Sequence, residues 1–172
     1  MTAPNTMQRD AIARMSPNGL VLPLPSPLLA MLPPKLQTYP MQWFIEPIVL
    51  GNVAPLTSLT GQFTTDNSHV FAAFYGSLKV RSADNQTDRD VDPAAFRMTD
   101  TQNLQYQPPG VLIDVTTVWG SGKQPAIWPV PLIVRQNNGI ILTVTNQSNA
   151  NTNNYNFEFI GVLIKVPSDL TF

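Results

Sequence analysis

The sequence has no cysteine. Disulfide staples and thiolate metal sites are therefore excluded, and the chain is indifferent to redox compartment. Charge is scarce as well. Asp, Glu, Lys and Arg make up 12% of the 172 residues, and the formal net charge is −1. Ordinary soluble domains carry roughly 25% charged residues. With no basic stripe to neutralise phosphates, nucleic acid is not expected as a direct partner. No apolar run reaches the roughly 18 residues that a membrane-spanning helix needs. Near the N-terminus, Arg9, Asp10 and Arg14 interrupt what would have to be the apolar core of an export signal. The expectation is a chain made in a cytoplasm, where it stays soluble or assembles, with no membrane association.

Catalytic residue types are equally sparse. There is one histidine, His69, and Glu46 and Glu158 are the only glutamates. Asp66, Ser68 and His69 invite comparison with a catalytic triad. On a strand, however, adjacent residues point to opposite faces, which would keep Ser68 from His69. Glu46 and Glu158 lie on separate strands, where either suits a solvent-facing position. Asp84, Asp88, Asp90 and Asp92 form the one acidic cluster, without the glycine and terminal glutamate of a calcium loop. It reads as a solvated loop. Gly120-Ser121-Gly122 is not followed by a helix and forms no phosphate cradle. These readings give no catalytic, metal or cofactor residues.

Proline and apolar residues are plentiful instead. Eight of the 17 prolines fall within residues 1–42, and hydrophobic residues make up 43% of the chain. Gln8–Met15 has the pattern of a short helix. Beyond it the prolines forbid a regular element of useful length and favour extended backbone. Residues 1–40 are thus expected to be a stiff, extended arm. Its apolar residues are Leu20, Leu22, Leu24, Leu28, Leu29, Met31, Leu32 and Leu36. Such a surface needs cover, either from the chain's own domain or from a neighbouring subunit. No basic residue flanks the PLPSP stretch, which argues against an SH3-type ligand.

Residues 41–172 carry β signals. MQWFIEPIVL is a strand in which Pro47 marks an edge or a bulge. LTSLTGQFT alternates. HVFAAFYGSLKV is apolar on both faces and should be central. A surface excursion from Arg81 to Asn103 follows, with a helical turn near Pro93–Phe96. VLIDVTTV, PLIVR and IILTVTN are further strands, the last two joined at Asn138-Gly139 as a tight hairpin. YNFEFIGVLIKV closes the domain, with Gly161 as a bulge. Short strands with turn signals between them indicate an all-β, jelly-roll-like antiparallel β-sandwich. Trp43, Trp119 and Trp128 read mainly as packing residues, with Trp119 the best exposed candidate. The asparagine-rich run 146–156 is expected at the tip of a hairpin, where Asn151 and Asn153 are candidate exposed contacts. It includes the glycosylation triplet Asn146-Gln147-Ser148, inert without export.

The stretch GSGKQPAIWPVPLIVRQNNGIILTVTNQSNANTNNYNFEFIGVLIKV resembles small virion structural proteins of tailed bacteriophages. The likeness lies in a P-x-x-x-P-x-P lead-in, an I/L-x-V strand ending in Asn, an Asn/Ser/Thr-rich loop and a Y-x-F-x-F-x-G strand. In order of elements it covers Met41–Val166. The resemblance implies a non-enzymatic head decoration (cement) protein located in the virion. Its partners would be the major capsid protein or other virion proteins, and it would form a homo-oligomer, with a trimer favoured. The alternatives are a tail, collar or fibre-base component, and a carbohydrate-binding module built on Trp119 and the asparagine loop.

Overall fold

A computed structural model describes residues 24–89, 92–101, 113–121 and 124–170. The β strands are β1 (Met41–Val53), β2 (Ser58–Thr64), β3 (His69–Ser82), β4 (Ala94–Asp100), β5 (Ile113–Asp114), β6 (Ala126–Val134), β7 (Gly139–Asn146) and β8 (Asn153–Lys165). They form two antiparallel four-stranded sheets, ordered β1-β8-β3-β6 and β2-β7-β4-β5. Apart from β4–β5, every consecutive pair of strands divides between the two sheets. This is jelly-roll topology. The connection at Asn138-Gly139 therefore joins two sheets rather than two paired strands. A period of two reveals a strand but not the sheet it joins.

Alternation places the core. Leu78 and Val80 of β3 and Tyr155, Phe157 and Phe159 of β8 point between the sheets, meeting Phe63, Phe96, Leu142 and Val144. On the outer side of the second sheet, hydroxyls pair across strands. Ser58 meets Thr145 at 2.8 Å, and Thr60 meets Thr143 at 2.9 Å. That face is polar yet nearly uncharged.

As its two apolar faces suggest, β3 is central, between β8 and β6. Its one irregularity is an extra residue, Phe74, between Ala73 and Tyr75. The bulge thus lies on β3 rather than at Gly161. Gly161 faces it for a steric reason, because a Cβ there would stand 1.9 Å from the Ala72 carbonyl oxygen. Pro47 lies on β1, an edge strand, where its missing N–H costs no ladder bond.

The described part of the arm is not extended. Ser26–Ala30 forms a short helix, α1, with proline in its first turn, and Leu36–Thr38 forms a 3-10 turn. Proline is tolerated in a first helical turn, where its N–H would have no intrahelical partner. Together these pieces cover part of the outer face of the first sheet. Leu32 and Leu36 are buried against Val70, Ala72, Phe74, Val162 and Ile164, flanked by Leu24, Leu28, Leu29 and Met31. Each face of β3 thus has its own core. Leu20, Leu22 and the Gln8–Met15 segment lie outside the described residues.

Two further expectations are corrected. Pro93–Phe96 is no helical turn, since β4 begins at Ala94. VLIDVTTV is a strand only at Ile113–Asp114, and Val115–Trp119 form a short helix, α2. Val115, Val118 and Trp119 recur at helical spacing, and all three pack in the inter-sheet core.

Candidate interaction surface

The Asp66–Ser68–His69 cluster was the nearest approach to catalytic geometry, and it does come together. Ser68 sits in the turn before β3, so strand alternation does not separate it from His69. Asp66 Oδ1 lies 2.9 Å from His69 Nδ1 and accepts from the Ser68 hydroxyl at 2.9 Å and the Ser68 amide at 2.8 Å. The Ser68 hydroxyl also meets Nδ1, at 3.1 Å. Serine and aspartate therefore converge on one ring nitrogen. A triad needs them on opposite nitrogens, so that the base takes the nucleophile's proton while the acid holds its far side. This cluster is a turn lock. Burial raises the Asp66 pKa, but the Ser68 amide, the His69 ring and the Ser68 hydroxyl outweigh it and hold the carboxyl below its ordinary value.

Glu46 and Glu158 lie on neighbouring strands, yet they do not form a catalytic pair. Glu46 stands opposite Phe159 on the core side and is buried, contrary to its expected solvent-facing position. Glu158, one residue off in register, faces outward toward Ser77 and Lys79.

The asparagine loop is not a projecting tip. Asp92 Oδ2 accepts from Asn151 and Asn153, both at 3.0 Å. Asn146 donates to the carbonyls of Val53 and Asn151 at 2.9 and 2.7 Å. Asn146 and Asn153 are fully buried and Asn151 is half-buried. The expectation of Asn153 as an exposed contact is thus overturned, because its amide is needed to hold the loop. Asp84 is taken up by Ser82 and the Gln86 amide, and Asp88 by Arg81. Asp90 lies outside the described residues, among which no group of three His, Cys, Asp or Glu is placed to hold a metal.

Trp119 is corrected most sharply. Its packing role holds, but as the best exposed candidate of the three tryptophans it is overturned, because it is fully buried. Phe96, Trp128, Phe157 and Phe159 meet it edge-to-face, with centroids 4.8 to 5.9 Å away. A Cβ at Gly76 would meet the rings of Trp128 and Trp119 at 2.6 and 2.8 Å, so the two indoles pack directly on β3 backbone. A sugar platform built on Trp119 cannot form. Nor do Leu32 and Leu36 offer themselves to a partner, since the chain's own sheet takes them up.

Among the described residues, five of the exposed large apolar side chains lie on the two edge strands of the first sheet, and Leu59 on β2 of the second sheet is 41% exposed. Trp43, Ile45 and Val49 of β1 are 37%, 48% and 64% exposed, in a row on its outward face. On β6, Ile127 and Val130 are 70% and 75% exposed. Their exposure has a structural cause. Ile127 pairs with Tyr75 and Leu132 with Ala73, so Trp128–Pro131 swing away from β3. Trp128 turns inward, donating its indole N–H to the Val118 carbonyl at 3.0 Å. Val130 is left at the crest between Pro129 and Pro131. Leu56 adds a third point, 66% exposed with φ +56°, a backbone conformation leucine rarely adopts. The sequence signal for the crest was present in IWPVP, since two prolines at alternate positions cannot both serve a ladder.

No protein-family model matches the chain, and no curated protein matches it.

Proposed function

We propose that this chain is a non-enzymatic structural protein of a phage virion, binding the capsid lattice as a decoration (cement) protein. The observation that carries this reading is the placement of exposed apolar side chains on a rigid frame. Trp43, Ile45 and Val49 line one edge of the first sheet, and Ile127 and Val130 crest the other. Monomeric proteins seldom leave such groups uncovered in rows. Rim contacts at both edges of one sheet suit a unit set between neighbours in a symmetric array. The low charge supports the same use, because surfaces of weak self-repulsion pack closely. The jelly roll is shared by viral shell proteins, lectins and cupins, so the fold contributes analogy only.

In this reading the major capsid protein is the principal partner, and the protein acts as a small cyclic oligomer, a trimer being favoured. Burial of the edge rows contributes about 25 cal/mol per Å2 of apolar area. Modest contacts of that kind sum over many linked copies. The test is particle binding by the double variant Ile127→Lys/Val130→Lys. Both residues are exposed, so melting should be unchanged while sedimentation with virions falls at least about tenfold, the equivalent of 1.4 kcal/mol. Equal binding by wild type and variant would remove the β6 crest from the interface.

A further inference from the structure

The outer face of the first sheet carries one side-chain cluster that neither the fold nor the proposed function uses. Lys79 of β3 and Asn156 of β8 are directly opposite in register. Glu158, two residues further along β8, points to the same face. Its Oε1 accepts from Lys79 Nζ at 3.1 Å and from Asn156 Nδ2 at 3.2 Å. Its Oε2 accepts from the Ser77 hydroxyl at 2.7 Å, and Ser77 is buried. The Asn156 carbonyl oxygen is buried without a hydrogen-bond partner among the described residues.

We propose that Lys79 and Asn156 form an intramolecular isopeptide bond, with Glu158 as the proton carrier. The geometry has a specific feature that a plain ion pair lacks. A single carboxylate oxygen touches both the nitrogen that would attack and the nitrogen that would leave. Ser77 fixes the carboxyl so that this oxygen faces both, which makes it a positioning residue.

The reaction balances without any co-reactant. The Lys79 ammonium passes one proton to Glu158 Oε1 and becomes a neutral amine. Its lone pair adds to Cγ of Asn156, forming the N–C bond and a tetrahedral centre. Glu158 relays protons from the attacking nitrogen to Nδ2. The carbonyl re-forms as the Cγ–Nδ2 bond breaks, and the departing ammonia takes the remaining proton from Glu158 and leaves as ammonium. Glu158 returns to its carboxylate. No electron transfer occurs. Holding the two reacting groups on paired strands supplies the proximity that this slow amide exchange needs. The product ties together β3 and β8, the two central strands of the first sheet, in a chain with no cysteine to do so by disulfide.

The test is the intact mass of the full-length protein after incubation at neutral pH, followed by peptide mapping. The expected mass is about 17 Da below that of the sequence, the loss of one ammonia. Trypsin should fail to cut after Lys79 and leave a branched peptide that joins the Lys79 and Asn156 segments. Lys79→Arg, which keeps the cation, and Glu158→Gln should both return to full mass. A wild-type chain at full mass overturns the proposal. So does a deficit that persists in Lys79→Arg, since it would place the ammonia loss elsewhere, such as a succinimide at Asn138-Gly139.

Discussion

Tyr155 shows how one side chain ties the core to the loop above it. Its ring is fully buried and stacks beside Phe157, with centroids 6.4 Å apart. Its hydroxyl accepts from the Asn153 amide at 3.4 Å, and Asn153 is held in turn by Asp92. Burial pushes the phenol pKa above its ordinary value. The Asn153 bond opposes that rise and the nearby Asp92 carboxylate adds to it. A raised folded-state pKa means that the protonated form is favoured in the fold. The stability this contributes is complete below the unfolded value of about 10 and is lost as pH rises through the folded one. Tyr155→Phe should therefore be less sensitive to alkali than the wild type. Denaturant midpoints between about pH 9 and about pH 12 measure this, and parallel slopes for the two proteins would contradict it. Residue identity alone did not place Trp119. Ahead of Gly120-Ser121-Gly122 it resembled a strand end at the surface. Only the helical spacing of Val115, Val118 and Trp119 hinted that the segment turns inward.

At the scale of elements, the segment 24–40 changes role between sequence and structure. Its prolines were legible, and so was its need for cover. The identity of the cover was not, because apolar area does not specify which apolar surface it will meet. β3 held the clue in its two apolar faces. A strand greasy on both sides in a two-sheet sandwich requires a third layer, and α1 with the 3-10 turn supplies it. Leu36→Ala should accordingly cost about 2–5 kcal/mol, the range for truncating a fully buried leucine. Chemical denaturation of the full chain checks this. A loss below about 0.5 kcal/mol, the ordinary scatter of surface substitutions, would show that the segment merely rests on the sheet. Most strands read from alternation and turn residues, but β4 falls inside the stretch that reads as a surface excursion, and VLIDVTTV is helix from Val115 onward. The distribution of strands between sheets did not read from the sequence, and Asn138-Gly139 misled for that reason. A tight turn looks the same whether the chain returns beside itself or crosses a sandwich.

For the whole molecule, the outer surfaces differ in kind. One sheet presents a hydroxyl ladder, Ser58–Thr145 and Thr60–Thr143. The other is half covered by the chain's own arm and bordered by apolar rims at β1 and β6. Loop chemistry is spent on internal fastening, as in the Asp66 turn lock and the Asp92–Asn151–Asn153 network. The proposed structural role would draw on this division, with fastened loops and apolar groups at the margins of one sheet. The account's central claim is that the margins meet a virus shell. Quantitative peptide mass spectrometry on virus particles purified from cells producing this chain tests it most directly. The account predicts that the chain is retained through purification in a fixed ratio to the major shell protein. Its absence from such particles, while abundant in the same lysate, would contradict the claim.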